Sequence, residues 1–119
     1  MTLSYSIIFQ DEAILAINKP AGVLTIPDGY DRALLNLQTE LKAEYSQIWT
    51  VHRLDRDTSG VILFARSLPV HHLLNDQFEH RQIHKVYHAL AVGAPEWDHC
   101  ACTEPLRVNG DRRHRTVVA

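Results

Sequence analysis

An α+β fold is predicted from three features of this chain. Short apolar runs are punctuated by turn residues, two stretches carry apolar residues at helical spacing, and 119 residues leave room for one domain. With 45% apolar and 22% charged residues, the composition is that of a globular chain rather than a disordered one.

The elements follow in order. Ile7-Ile8-Phe9 and Ile14-Leu15-Ala16-Ile17 flank the polar turn Gln10-Asp11-Glu12 and read as two strands with a tight connection. Asn18-Lys19-Pro20-Ala21-Gly22 is a turn, with Pro fixing φ and Gly supplying permissive backbone. Val23-Leu24-Thr25-Ile26 is expected to be another short strand, stopped by Pro27-Asp28-Gly29. Asp31 can cap a helix running from about Arg32 to Glu44, with Leu34, Leu35, Leu37, Gln38 and Leu41 near one face.

Gln47 to Val51 reads as a strand entering the loop His52 to Gly60, and Val61-Ile62-Leu63-Phe64-Ala65 has the pattern of a strand buried on both faces. Ser67 as cap, Pro69 in the first turn, then Val70, Leu73, Leu74, Gln77 and Phe78 describe an amphipathic helix. Val86 to Val92 alternates most clearly and predicts a further strand, ended by Gly93-Ala94-Pro95. Thr116-Val117-Val118 reads as the opening of one more.

Composition limits function only loosely. Twelve basic and fourteen acidic residues give a net charge of −2, so any nucleic-acid partner must be argued from local clusters. The N-terminus shows no secretory pattern, and apolar runs of four or five residues fall far short of the ~20 that span a bilayer. A cytoplasmic protein with reduced thiols is expected, because Cys100 and Cys102, two apart, are poorly spaced for a mutual disulfide in extended chain. No Gly-rich phosphate loop suggests a nucleotide-dependent enzyme.

A metal-binding reading draws on His71, His72, His80, His84, His88, His99, Cys100, Cys102 and His114. His80 and His84 have helical ligand spacing, but Gln82-Ile83 looks like a helix end. His99-Cys100-Ala101-Cys102 lacks a second pair at zinc-finger spacing. No metal site is expected.

The segment from His52 to Gly60 concentrates charge between two apolar strands. An acidic loop residue such as Asp55 is most often a turn or capping carboxylate. Here Arg53 and Arg56 flank it, and two guanidiniums beside one carboxylate favour the ionised form that a nucleophile requires. Thr58-Ser59-Gly60 supplies local hydrogen bonds and a flexible exit.

His52-Arg53-Leu54-Asp55, followed by two residues and Thr58-Ser59-Gly60 running into an apolar strand, resembles the signature of the RluA-like RNA pseudouridine synthases. Two further blocks agree in order: Asp11 to Pro27, with its Lys-Pro turn, and Lys85-Val86-Tyr87-His88-Ala89-Leu90-Ala91-Val92-Gly93. The resemblance implies a mixed, mostly antiparallel sheet with flanking helices. It also implies isomerisation of uridine to pseudouridine in ribosomal or transfer RNA, which needs no cofactor because no atoms are gained or lost.

Asp55 is then the carboxylate that helps break the glycosidic bond, through a covalent adduct or an ion-pair route, and Tyr87 packs on the target base and relays a proton. His52 and Arg53 either hold RNA around the flipped base or brace the Asp55 loop. Arg56 joins them as an RNA contact, and Lys85 either bonds nearby or meets phosphate. Arg107, Arg112, Arg113 and Arg115, opposed only by Asp111, form a basic run suited to phosphates or a solvated loop. Asn18 and Lys19 are expected to shape the turn rather than react.

The family's later block, Thr-Gly-Arg-Thr-His-Gln-Ile-Arg in character, has no match here. Residues 1–119 are therefore expected to be a catalytic domain incomplete at its C-terminal end. Weak or no activity, and sheet edges that favour self-association, would follow. The rival within the family is a non-catalytic RNA-binding remnant.

Overall fold

The computed structural model describes residues 3–108 and 116–118. They fall into two compact units, divided after Lys85. The first contains an antiparallel four-stranded sheet in the order β1 (Ser6–Gln10), β2 (Ile14–Lys19), β4 (Gly60–Ala65), β3 (Trp49–Thr50), with helices α1 (Leu37–Glu44) and α2 (Leu68–Glu79). In the second, β5 (Leu106–Arg107) pairs antiparallel with β6 (Val117–Val118). The expected α+β class holds, and every pairing between named strands is antiparallel.

The β1–β2 turn is tied by Asp11, whose carboxylate accepts the Ala13 and Ile14 N–H groups at 2.8 Å each. Those two bonds hold its carboxyl below the usual carboxylate range. Because β2 side chains alternate, Leu15, Ile17 and Lys19 share one face. Ile62 and Phe64 continue that face on β4, where Ile17 pairs with Ile62 and Leu15 with Phe64. These residues, with Leu3, Leu37, Leu41, Ile48 and Leu54, form the core. Each fully buried Leu, Ile or Phe contributes roughly 1.5–3 kcal/mol.

β4 is fully buried on one face and only in part on the other. Ile62 and Phe64 are fully covered, whereas on the second face Val61 is 57% exposed, Leu63 is half-buried and Ala65 is buried. The expectation of two buried faces fails at Val61, and α2 packs against β4.

Two other expected elements are corrected. The helix begins at Leu37 rather than Arg32, capped by Asn36, whose side chain accepts the Thr39 N–H at 2.9 Å. Upstream, Asp28 accepts the Asp31 N–H at 2.7 Å and Asp31 accepts the Ala33 N–H at 3.0 Å, so side-chain turns hold that segment out of the helix. Val23–Ile26 forms no strand, only a single bridge from Leu24 to Asn36. Two of its carbonyls are taken by the start of α1 instead: the Leu37 N–H donates to Leu24 at 2.9 Å and the Gln38 N–H to Thr25 at 3.0 Å.

Helix α2 starts as expected, with Ser67 as N-cap and Pro in its first turn. Among the described residues no helix is long and apolar enough to cross a membrane.

In the second unit, Val86–Val92 is not a strand. Leu90 and Val92 are fully exposed, and the segment pairs with no described strand. Alternation suits a sheet surface, but a strand also needs a neighbour. Cys100 and Cys102 are exposed free thiols with their sulfurs 3.8 Å apart, and this contact pushes the Cys100 thiol up from its ordinary value.

Candidate active site

Leu54 and Asp55 lie side by side in the loop between β3 and β4, and they face opposite ways. Leu54 is 7% exposed and belongs to the core, which turns its neighbour Asp55 outward into solvent.

Three anchors fix this backbone. The buried Thr25 hydroxyl donates to the Leu54 carbonyl at 3.0 Å and accepts the Leu54 N–H at 3.1 Å. The Arg56 carbonyl accepts both the Gly22 N–H at 2.8 Å and the Lys19 ammonium at 3.0 Å. The Asp55 carbonyl closes a turn with the Thr58 N–H at 3.1 Å. Gly22 makes its contact with φ of 87°, a conformation costly for residues with a Cβ.

Lys19 is the residue whose importance the sequence reading understated. It is fully buried, and its Nζ also donates to the carbonyls of Pro20 and Val23. Burial depresses its ammonium below the ordinary lysine value, while Asp57 and Asp55 act the other way. It shapes the turn, as expected, and also pins the Asp55 loop from beneath. A signal was available: Lys19 continues the Leu15, Ile17 alternation on the inward face. Thr25 had no comparable signal.

A cleft of about 150 Å³ opens beside Asp55, walled by Leu24–Ile26 and Arg53–Arg56. The two arginines do not clasp the carboxylate. Among the described residues no Arg or Lys lies within salt-bridge distance of a carboxylate, and Arg56 turns its Nε toward the Gly22 carbonyl at 3.4 Å. Arg53 and Arg56 are both exposed beside the cleft.

His52 is half-buried, and its Nε2 accepts the Leu63 N–H at 2.9 Å. Its ring stacks on Phe78 of α2, centroids 4.5 Å apart at 17°. Lys85 Nζ lies 5.7 Å from the Phe78 centroid. Burial, then the Lys85 charge, lowers the His52 imidazole below its ordinary value of 6.5. These contacts tie His52 to β4 and α2.

Tyr87 belongs to the second unit and is 60% exposed. Arg112 and Arg113 lie outside the described residues, as do His114 and Arg115. Among the described residues no three His, Cys, Asp or Glu side chains gather into a metal site.

Comparison with known proteins places this loop in context. The family model described as RNA pseudouridylate synthase matches residues 13–117. The chain is 40% identical over 100 residues to the dual-specificity RNA pseudouridine synthase RluA of Vibrio vulnificus, a match covering 84% of this chain and 40% of that protein. It is 48% identical over 89 residues to tRNA pseudouridine synthase C of Yersinia pestis, covering 73% of this chain and 35% of the relative. The solved structure of Human RNA Pseudouridylate Synthase Domain Containing 4 superposes with a TM-score of 0.50 at 26% identity, over 64% of this chain and 30% of that one.

Proposed function

Because the chain belongs to the RNA pseudouridylate synthase family, we propose that it carries the Asp55-bearing part of a catalytic domain that isomerises specific uridines in ribosomal or transfer RNA. The reaction detaches uracil from C1′ of the ribose, turns the base and rejoins it through C5. Atoms balance within one nucleotide. The site must supply a carboxylate, a proton acceptor and room for an extruded base.

One observation carries the reading: an outward carboxylate on a backbone held at Leu54, Asp55 and Arg56. Such a group can meet an electron-poor sugar carbon as carboxylates do in glycoside hydrolysis, by adduct or ion pair. Tyr87 is proposed to stack on the base and relay the proton. Arg53, Arg56 and Lys85, exposed in the first unit, are proposed phosphate contacts, joined by Arg112 and Arg113 of the basic run. A cytoplasmic location is proposed with this role.

Self-association through the outer edge of β1 is proposed as well. Its support is an edge strand on which Ile7, Ile8 and Phe9 are about half exposed. Sedimentation over a concentration series tests it.

For the activity, ribosomal and transfer RNA transcripts are incubated with the protein, alone and within a longer polypeptide carrying the same residues. Pseudouridine is read by chemical labelling and primer extension. Conversion that vanishes in Asp55→Asn is the expected result. RNA binding without conversion in either form would make the chain a binding module instead.

A further inference from the structure

We propose that His52 is a positioning residue for the Asp55 loop, acting through a neutral imidazole that stands in for a missing β3 residue opposite Leu63 of β4. This rests on the reading of Asp55 as the reacting carboxylate.

β3 pairs with β4 for two residues only, Trp49 with Ala65 and Thr50 with Phe64, so the strand ends where Leu63 still presents its N–H. The His52 Nε2 takes that N–H at 2.9 Å. A ring nitrogen therefore does the work of a backbone carbonyl, and it does so three residues before Asp55.

Accepting at Nε2 requires a lone pair there. In the neutral ring the proton then resides on Nδ1, and in the imidazolium both nitrogens donate. Protonation would set donor against donor at Leu63 and release the start of the loop from the sheet.

The surroundings favour the neutral ring. α2 offers the face of Phe78 rather than a carboxylate, and Lys85, 5.7 Å from the same ring, adds a positive charge that bears on His52. β4 contributes the Leu63 amide. β3 contributes Trp49, which stacks at 6.1 Å on His71, the other titratable ring between α2 and β3. No acidic side chain pairs with His52 among the described residues.

The test begins on the native ring. Nitrogen NMR of the histidine-labelled full chain, with its eight histidines assigned by substitution, reads the His52 tautomer. Hydrogen exchange reads protection of the Leu63 amide between pH 8 and 5. The expected result is an Nδ1–H tautomer at neutral pH and Leu63 protection that drops as the ring titrates.

His52→Phe keeps the stack without the acceptor, and Leu63 is expected to exchange roughly tenfold faster, the loss of one hydrogen bond. His52→Gln supplies an amide oxygen in place of Nε2, and is expected to restore protection and hold it to low pH. In pseudouridine formation, His52→Phe lowers kcat with KM little changed, and His52→Gln recovers most of that loss.

An Nε2–H tautomer, or Leu63 protection indifferent to both pH and His52→Phe, overturns the proposal even if Asp55-dependent conversion is found. If the tautomer and exchange results hold but the longer polypeptide carrying these residues converts no RNA, the brace stands and the assignment of Asp55 falls.

Discussion

At Thr25 a single hydroxyl serves both backbone polar groups of Leu54, donating to one and accepting from the other. Thr25→Val keeps the shape and removes both bonds, leaving a buried N–H and a buried C=O without partners. A loss of about 2–4 kcal/mol is expected, read from urea midpoints, with Thr25→Ser retaining most of the stability. His52 gives a pH dependence whose sign follows from its lowered value. As pH falls, the unfolded chain takes up the proton first, near its ordinary 6.5, while the folded ring resists. The stability from neutral His52 is therefore complete above about 6.5 and drains away below it. Urea midpoints measured from pH 7.5 to 5 are expected to fall more steeply for the native chain than for His52→Gln.

At the scale of the element, α1 does more than cover the sheet. Its first N–H groups hold the carbonyls of Leu24 and Thr25, and Thr25 in turn holds Leu54, so the start of this helix is linked to the candidate site by consecutive hydrogen bonds. Asn36 sets that start. Asn36→Ala is expected to cost about 1 kcal/mol in thermal or chemical unfolding, and Asn36→Asp to cost much less, because a carboxylate caps as well as an amide. The opposite end is tied to the N-terminal segment, where the Tyr5 hydroxyl donates to Glu44 at 3.0 Å. Burial and the Glu44 carboxylate raise that phenol to about 12.

At the scale of the whole chain, the two units differ in how they are built. Met1–Lys85 carries the core, including a fully buried lysine. In Val86–Ala119 the described side chains are exposed almost throughout, with Trp97 at 58% and Leu90 and Val92 fully accessible. Limited proteolysis is expected to cut within residues 86–108 before it cuts between β2 and β4, with fragment masses as the readout. Early cleavage inside 14–65 would contradict this.

Some of this architecture was legible from neighbouring residues. Ser67 with a proline close behind it marked the start of α2, apolar alternation marked β2, and the spacing from His52 to Gly60 marked the loop that bears Asp55. Each is a local signal, because a cap, a pleat or a turn is made by residues a few positions apart. Tertiary structure alone decided that Val23–Ile26 serves a helix instead of a sheet, that Arg53 and Arg56 leave Asp55 unclasped, and that Lys19 and Thr25 hold its loop. The hold on that loop depends on partners 29 or 37 positions away, as Thr25 is from Leu54 and Lys19 from Arg56. A hydrogen bond across such a distance exists only once the chain has closed on itself, and residue spacing carries no record of it.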